Sequence, residues 1–195
     1  MADKRITWDD VLEMSTYQAI RATKRAEIVA IKRDRRVAVG PDATFYFESH
    51  DTMWWQIHEM LYIEKGGEEQ IPDELAAYNP LIPQGRELIA TLMFEIDDPD
   101  RRKTVLSSLG GVEEACVLSI AGEEIVGVAE ADLDRTTADG KASSVQFVHF
   151  TLSDAQVGAF KQPETQVMLG IKHTNYGHMA FLSGPVRTAL SADLD

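Results

Sequence analysis

Alternation of apolar and polar positions along the chain predicts a β-hairpin near the start. Val37 and Val39 alternate with polar or small residues, and so do Phe45 and Phe47. Between them lies Gly40-Pro41-Asp42, a residue set typical of tight turns. A period of two that is interrupted by turn residues is the pattern of two antiparallel strands.

Helical spacing predicts helices on both sides of the strands. A helical N-terminal segment covers about residues 7–34, and apolar residues recur at every fourth position from Leu182 to Leu194. A further helix is predicted from residue 52 to about residue 65, with Ser49 or Asp51 as its N-cap.

Strand patterns occupy most of the intervening sequence. They lie at about residues 88–96, 115–120, 125–130, 145–150 and 167–171. Together with the hairpin they make about seven strands, and hairpin connections favour antiparallel pairing. The predicted fold is therefore α+β, a mostly antiparallel sheet of about seven strands with helices at both ends, in a single domain over residues 1–195.

Charge and composition restrict the partners and the compartment. The 195 residues carry a net charge of −13, which argues against general binding to nucleic acid or to an anionic membrane. The polar start, MADKRITWDD, is unlike a secretory signal, and no apolar run approaches the roughly 20 residues of a membrane helix. A single cysteine, Cys116, excludes an intrachain disulfide. We expect a cytoplasmic protein.

Familiar catalytic motifs are absent from the sequence. It contains no GxxxxGK[ST], no GxGxxG after a strand, no GxSxG and no HExxH. Cys116 shares strand parity with Leu118 and Ile120, which indicates a packed core cysteine rather than a nucleophile. The sequence leaves open whether the protein is an enzyme.

One candidate site for a metal ion comes from two histidines on strand faces. His149 lies on an apolar face, His173 continues the parity of the last predicted strand, and Glu59 lies on the central helix. If the two strands are neighbours, these side chains meet, and two imidazoles with one carboxylate suit iron, zinc or manganese. The alternative is that each histidine is a core or surface residue with its own hydrogen bond.

A second candidate region is the aromatic part of the central helix. Trp54, Trp55, His58 and Tyr62 are predicted to form a surface for a protein partner, since adjacent tryptophans on a helix cannot both face the core. The alternatives are an ordinary packed core or a ligand pocket lined by the aromatic residues Phe45, Tyr46, Phe47, Trp54, Trp55 and Tyr62.

Carboxylates lie next to this region. Tyr46, Glu48 and His50 share parity at the end of the hairpin, and a desolvated carboxylate there can do acid–base work. The alternative is that these acidic groups are solvated or are paired with Arg35 and Arg36 across the hairpin.

Several stretches resemble an uncharacterised bacterial family, the domain-of-unknown-function family numbered thirty-five-zero-one. They are Arg35-Arg36-Val37 through Gly40-Pro41, Phe47-Glu48, Gln56 to Leu61, Glu74-Leu75 through Tyr78-Asn79, Glu87-Leu88 to Ile96, Ser144 to Phe147, and His173 with Tyr176. The resemblance covers most of the chain. It departs at Thr174, since in the family a proline often follows the matching histidine.

The resemblance implies a context rather than an activity. Such proteins look like companions of rubrerythrin-like diiron proteins and iron–sulfur oxidoreductases. The first hypothesis is therefore an accessory or adaptor protein of a cytoplasmic redox module, with a rubrerythrin-like or iron–sulfur protein as its partner. The alternative is a metal-binding protein or enzyme with the mononuclear His/Glu site.

Overall fold

Two antiparallel β-sheets pack against each other in a computed structural model that describes residues 3–130 and 141–195. Within these residues the strands are β1 (Arg36–Val39), β2 (Ala43–Phe47), β3 (Glu87–Phe94), β4 (Cys116–Ile120), β5 (Glu123–Val126), β6 (Val128–Ala129), β7 (Val145–Thr151), β8 (Val167–His173) and β9 (Tyr176–Phe181). The helices are α1 (Met14–Arg33), α2 (His50–Glu64), α3 (Ile71–Tyr78), α4 (Pro99–Ser107), α5 (Asp154–Lys161) and α6 (Gly184–Ser191).

The first sheet has five strands in the order β1-β2-β3-β7-β6, and the second has four in the order β5-β4-β8-β9. The chain passes from one sheet to the other between β5 and β6, at Gly127. A Cβ atom at Gly127 would lie 2.4 Å from a methyl group of Val148, so this close crossing requires glycine.

The main core fills the space between the sheets. Every second residue of each strand faces inward, and Phe45, Leu92 and Phe150 of the first sheet share one cluster with Leu118 and Leu169 of the second. All five are fully buried. Apolar residues of α4, α5 and α6 join the same cluster. Truncating one of these phenylalanines to alanine would destabilise the protein by about 3–5 kcal/mol.

Helices cover the other face of the five-stranded sheet. Ile89 on this face packs in a second cluster with Ile57 and Leu61 of α2 and with Ile82. Helix α1 lies outside α2 and contacts it through Tyr17, which is fully buried. The order of layers is therefore α1, then α2 with α3, then the five-stranded sheet and then the four-stranded sheet.

Arg35 connects three parts of this arrangement. Its guanidinium donates to the carbonyl oxygens of Phe47 over 3.0 Å and Glu48 over 2.8 Å, and it forms an ion pair with Asp193. Burial raises the pKa of Asp193 although the guanidinium opposes that shift. This buried pair fixes the chain after α6 to the junction of β2 and α2.

Local predictions are largely confirmed. The hairpin, the helix predicted for residues 52–65 with Ser49 as its N-cap, the antiparallel pairing and the α+β class all match the structure. In the N-terminal segment, Trp8–Asp10 is one turn of 3-10 helix, and α1 begins at Met14. None of the helices in the described residues is long and apolar enough to cross a membrane.

Two features differ from the prediction. The strands divide between two sheets instead of forming one, and β9 was not predicted. In β9 the residues that face solvent include Met179 and Phe181, so the strand lacks the apolar–polar alternation that identifies half-buried strands.

Candidate functional site

Glu59, one of the three predicted metal ligands, is an ion-pairing residue between α1 and α2. Its carboxylate accepts two bonds from the Arg21 guanidinium, over 2.7 and 2.8 Å, and one from the Tyr17 hydroxyl over 2.7 Å. Arg21 holds the pKa of Glu59 below its usual value. Each carboxylate oxygen of Glu59 therefore has a charged or hydroxyl partner on α1, and the side chain joins α2 to α1.

His149 lies between two carboxylates on the five-stranded sheet. Its Nε2 is 2.7 Å from Glu130 and its Nδ1 is 3.5 Å from Glu87. Hydrogen bonding to Glu87 and Glu130 raises the pKa of His149. The imidazole sits on the face of β7 that points away from the second sheet, beside Ile89 of β3.

His173 lies at the end of β8 in the other sheet. Its Nε2 is 3.2 Å from the carbonyl oxygen of Gly110, and its Nδ1 accepts the N–H of Asn175 over 3.2 Å. These bonds hold the loop after α4 against the turn between β8 and β9. They satisfy both ring nitrogens with backbone groups.

The structure does not bring His149, His173 and Glu59 together. The prediction assumed that β7 and β8 are neighbouring strands, but β7 pairs with β3 and β6 while β8 pairs with β4 and β9. In residues 3–130 and 141–195 no group of three or more His, Cys, Asp or Glu side chains could hold a metal ion. Sheet membership, which local periodicity does not encode, separates the predicted ligands.

The predicted partner surface is mostly internal. The Tyr17 ring of α1 lies 4.9 Å from His58, 5.9 Å from Trp55 and 6.1 Å from both Trp54 and Tyr62. Trp55 and His58 are buried, and Trp54 and Tyr62 are half-buried. Helix α1 covers this side of α2, so the aromatic residues join two helices rather than facing a partner.

Within this cluster His58 must be neutral. Its Nε2 accepts the backbone N–H of Leu12 over 3.0 Å, so its Nδ1 carries the proton and donates to the carbonyl oxygen of Trp54 over 2.7 Å. Burial lowers the pKa of His58. The ring fastens the segment before α1 to α2.

The one cysteine has no access to solvent. Cys116 is buried in the main core and its thiol lies 3.5 Å from the carbonyl oxygen of Val112. Burial strongly raises the pKa of Cys116. A thiol that is hard to ionise and inaccessible is a packing group, as the strand parity predicted.

A cavity of about 390 Å³ lies between the five-stranded sheet and the helices. Its lining residues are Lys32, Tyr46, Glu48, Met53, Gln56, Tyr78, Leu81, Thr91, Met93, Val145 and Phe147. The lining combines a mostly apolar wall with a few polar groups, which is the usual composition of a small-molecule site. Among the aromatic residues predicted to line a pocket, Tyr46 does so.

Glu48 is the charged group buried in this lining. The residue is 7% exposed, and its two carboxylate oxygens accept bonds from the Thr52 hydroxyl over 2.6 Å and the Thr91 hydroxyl over 2.7 Å. Arg35 bonds to the backbone carbonyl of Glu48 and to Asp193, so the expected pairing of Arg35 with this carboxylate is not formed. The carboxylate of Glu48 is therefore desolvated and is not paired with Arg35.

Apart from the cavity, the four-stranded sheet has an outer face with exposed apolar side chains, which we call the exposed face. It consists of Val126, Met168, Met179 and Phe181, which share strand parity opposite to the core. Val117 has the same parity but is buried. Phe181 is 67% exposed, Val126 is 59% exposed and Met179 is 41% exposed. Sequence reasoning missed this face because Met179 and Phe181 lie on the strand that was not predicted.

Comparison with known proteins supports the family assignment. A protein of unknown function from Burkholderia pseudomallei K96243 has a crystal structure that matches with a TM-score of 0.89 at 35% identity, covering 97% of this chain and 99% of that chain. No curated protein matches the sequence. The family model described as "Protein of unknown function (DUF3501)" matches residues 5–194. The chain therefore belongs to the DUF3501 family of proteins of unknown function.

Proposed function

We propose that this protein is an accessory or adaptor protein that binds a protein partner through its exposed face. The observation that carries the proposal is the exposure of Phe181, Met179 and Val126 on one face of one sheet. An antiparallel sheet with one wet face normally carries polar residues there. Met179 and Phe181 are neighbours on this face, since they lie two residues apart on β9, and a patch of exposed apolar side chains marks a contact surface.

The arrangement of side chains on this face supports docking. Met168 is paired with Phe181 across the strands, and Gly170 is paired with Met179, whose sulfur occupies the space above the glycine. An ion pair between Lys172 and Glu124 lies on the same face. Apolar side chains beside neutralised charges resemble the mixture of residues found in protein interfaces.

The class of partner comes from the family resemblance. We propose a rubrerythrin-like diiron protein or an iron–sulfur oxidoreductase as the partner, and the cytoplasm as the compartment. The net charge of −13 favours a partner that presents basic residues around an apolar centre, because opposite potentials accelerate association.

Substitution of one apolar residue tests the surface. Phe181→Glu places a charge on the β9 edge of the exposed face, and a hot-spot aromatic residue contributes roughly 2 kcal/mol or more to an interface. We expect loss of co-purification of the partner with the full chain at about physiological ionic strength. Ile63→Glu is the matched control, since Ile63 is 61% exposed on α2, away from this face.

The identity of the co-purifying protein tests the redox role. Mass spectrometry of material bound to the wild-type chain and to the Phe181→Glu chain should show enrichment of a diiron or iron–sulfur protein on the wild type alone. Enrichment of an unrelated protein would retain the adaptor role and remove its redox assignment. Equal recovery on both chains would remove the exposed face as the docking site.

A further inference from the structure

We propose that the cavity between the five-stranded sheet and α2 binds a small molecule with a protonated amine, which Glu48 anchors. This site lies on the other sheet from the exposed face and is independent of the adaptor role. The cavity of about 390 Å³ is large enough for a ligand of one ring and a short side chain. The argument rests on the charge, partners and surroundings of Glu48.

Glu48 carries a buried carboxylate. The residue is 7% exposed, and in the part of the chain that the structure describes no Lys, Arg or His side chain forms an ion pair with it. Buried carboxylates in proteins are normally paired, because desolvation of an isolated charge is costly. A cation in the cavity would supply the missing charge.

The carboxylate also retains free hydrogen-bonding capacity. An ionised carboxylate has about four lone-pair sites, of which the hydroxyls of Thr52 and Thr91 use two. Both hydroxyls fix the position of the carboxylate from the α2 side and from the β3 side of the cavity. A primary ammonium, with three donors, fits the remaining sites.

Arg35 and Lys32 lie near Glu48, but neither forms an ion pair with its carboxylate. The guanidinium of Arg35 is occupied by Asp193 and by two backbone carbonyl oxygens. Lys32 contributes to the lining from the last turn of α1 and is half-buried. The N-terminus of α2, which is the positive end of the helix dipole, lies next to Glu48.

The rest of the lining defines the body of the ligand. Met53, Leu81, Met93 and Phe147 provide an apolar wall, which suits an aromatic ring or a short alkyl chain. The Tyr78 hydroxyl accepts a bond from the Gln56 amide over 3.4 Å, so its own proton can be donated to a ligand. The chemical class is therefore an aralkyl or alkyl primary amine.

Isothermal titration of the full chain with three matched probes tests the proposal. Phenethylamine carries the ammonium, phenethyl alcohol has the same body without charge, and phenylacetate has a negative charge. At neutral pH we expect phenethylamine to bind roughly tenfold or more tightly than the alcohol, because hydrogen bonds to charged groups are the strong ones. Equal binding of amine and alcohol, or no amine binding at millimolar concentration, would overturn the proposal.

Two variants assign the binding to this cavity. Glu48→Gln should weaken phenethylamine binding by roughly tenfold or more and leave alcohol binding unchanged. Glu95→Gln is the matched control, since Glu95 lies on the surface beside Tyr46 and outside the lining. Met93→Trp fills the cavity while keeping Glu48, and should abolish binding with a native circular dichroism spectrum. Amine binding that survives Met93→Trp in the folded protein would place the site elsewhere and refute the proposal.

Discussion

The hydroxyl of Tyr176 donates a hydrogen bond to the carbonyl oxygen of Val39 over 2.8 Å. The hydroxyl oxygen of Tyr176 in turn accepts the backbone N–H groups of Asp42 over 2.9 Å and Ala43 over 3.0 Å. Tyr176 belongs to the edge strand of the four-stranded sheet, whereas these backbone groups form the hairpin turn of the other sheet. One buried side chain therefore joins the two sheets at this edge.

Tyr176→Phe should destabilise the protein by about 2–3 kcal/mol, because it leaves buried backbone donors without an acceptor. Guanidinium unfolding monitored by circular dichroism measures the change as a lower midpoint with an unchanged slope. Tyr46→Phe is the control, since Tyr46 bonds to the exposed Glu95 over 2.8 Å and its hydroxyl should contribute less than about 0.5 kcal/mol. Similar losses in both variants would contradict the joining role of Tyr176.

The Arg35–Asp193 pair predicts a large effect from one carboxylate near the C-terminus. Asp193→Ala leaves the buried Arg35 guanidinium without its counter-charge, and we expect a loss of about 3–5 kcal/mol in the free energy of unfolding. Asp195→Ala, two residues later, removes an exposed ion pair with Lys4 at 3.0 Å and should change stability by about 0–1 kcal/mol. Urea unfolding of both variants compares them, and a loss below that range for Asp193→Ala would mean that water reaches the pair.

Local sequence patterns predicted the elements far better than their assembly. The β1–β2 hairpin and α2 follow from the spacing of neighbouring residues, which is why both were predicted. The meeting of His149 and His173 depended on which strands pair, and their strands belong to different sheets. Glu48 was recognised as either solvated or desolvated, but only the fold shows that Thr91, 43 positions later, supplies its second partner.

Because His58 is buried as a neutral ring, we expect the free energy of unfolding to decrease at acidic pH. The folded chain holds this ring neutral, and burial lowers its pKa below the usual value of about 6.5, so the unfolded chain takes up the proton first. The contribution of His58 is fully present above about pH 6.5 and decreases as the pH falls toward the folded-state pKa. Guanidinium unfolding between about pH 7.5 and about pH 5 should show less pH dependence in His58→Gln than in the wild type.

His50 supplies the control for that experiment. It is exposed at the start of the same helix, so His50→Gln should retain the pH dependence of the wild type. A curve for His58→Gln that runs parallel to the wild-type curve would show that protonation of His58 is not coupled to unfolding.

For His149 we expect the opposite dependence of folding stability on pH. Glu87 and Glu130 raise its pKa in the folded state, so its contribution is fully present below the unfolded value of about 6.5. This contribution is lost as the pH rises through the folded-state pKa. In an NMR titration of the ring protons, Glu130→Gln should lower the pKa of His149, whereas Glu95→Gln, on the surface beside Tyr46, should leave it unchanged. Identical titration curves in all three proteins would show that the Glu130 carboxylate does not raise the pKa of His149.

Alanine substitutions at Gly40 and Gly67 distinguish the cost of backbone strain from the cost of a steric clash. Both have left-handed backbones, with φ of +73° and +71°, but a Cβ atom at Gly40 would lie 2.6 Å from the His178 ring and 2.8 Å from the Tyr176 hydroxyl, whereas one at Gly67 would have no neighbour within 4 Å. Gly67 has a ψ of −159°, a conformation that is essentially restricted to glycine, so Gly67→Ala should cost about 1–3 kcal/mol from backbone strain alone. Gly40→Ala should cost about 1–3 kcal/mol more, because the side chain would displace the tyrosine that joins the sheets. Thermal and guanidinium unfolding of both variants gives the difference, and equal losses would show that the edge between β1 and β9 can move apart without disturbing Tyr176.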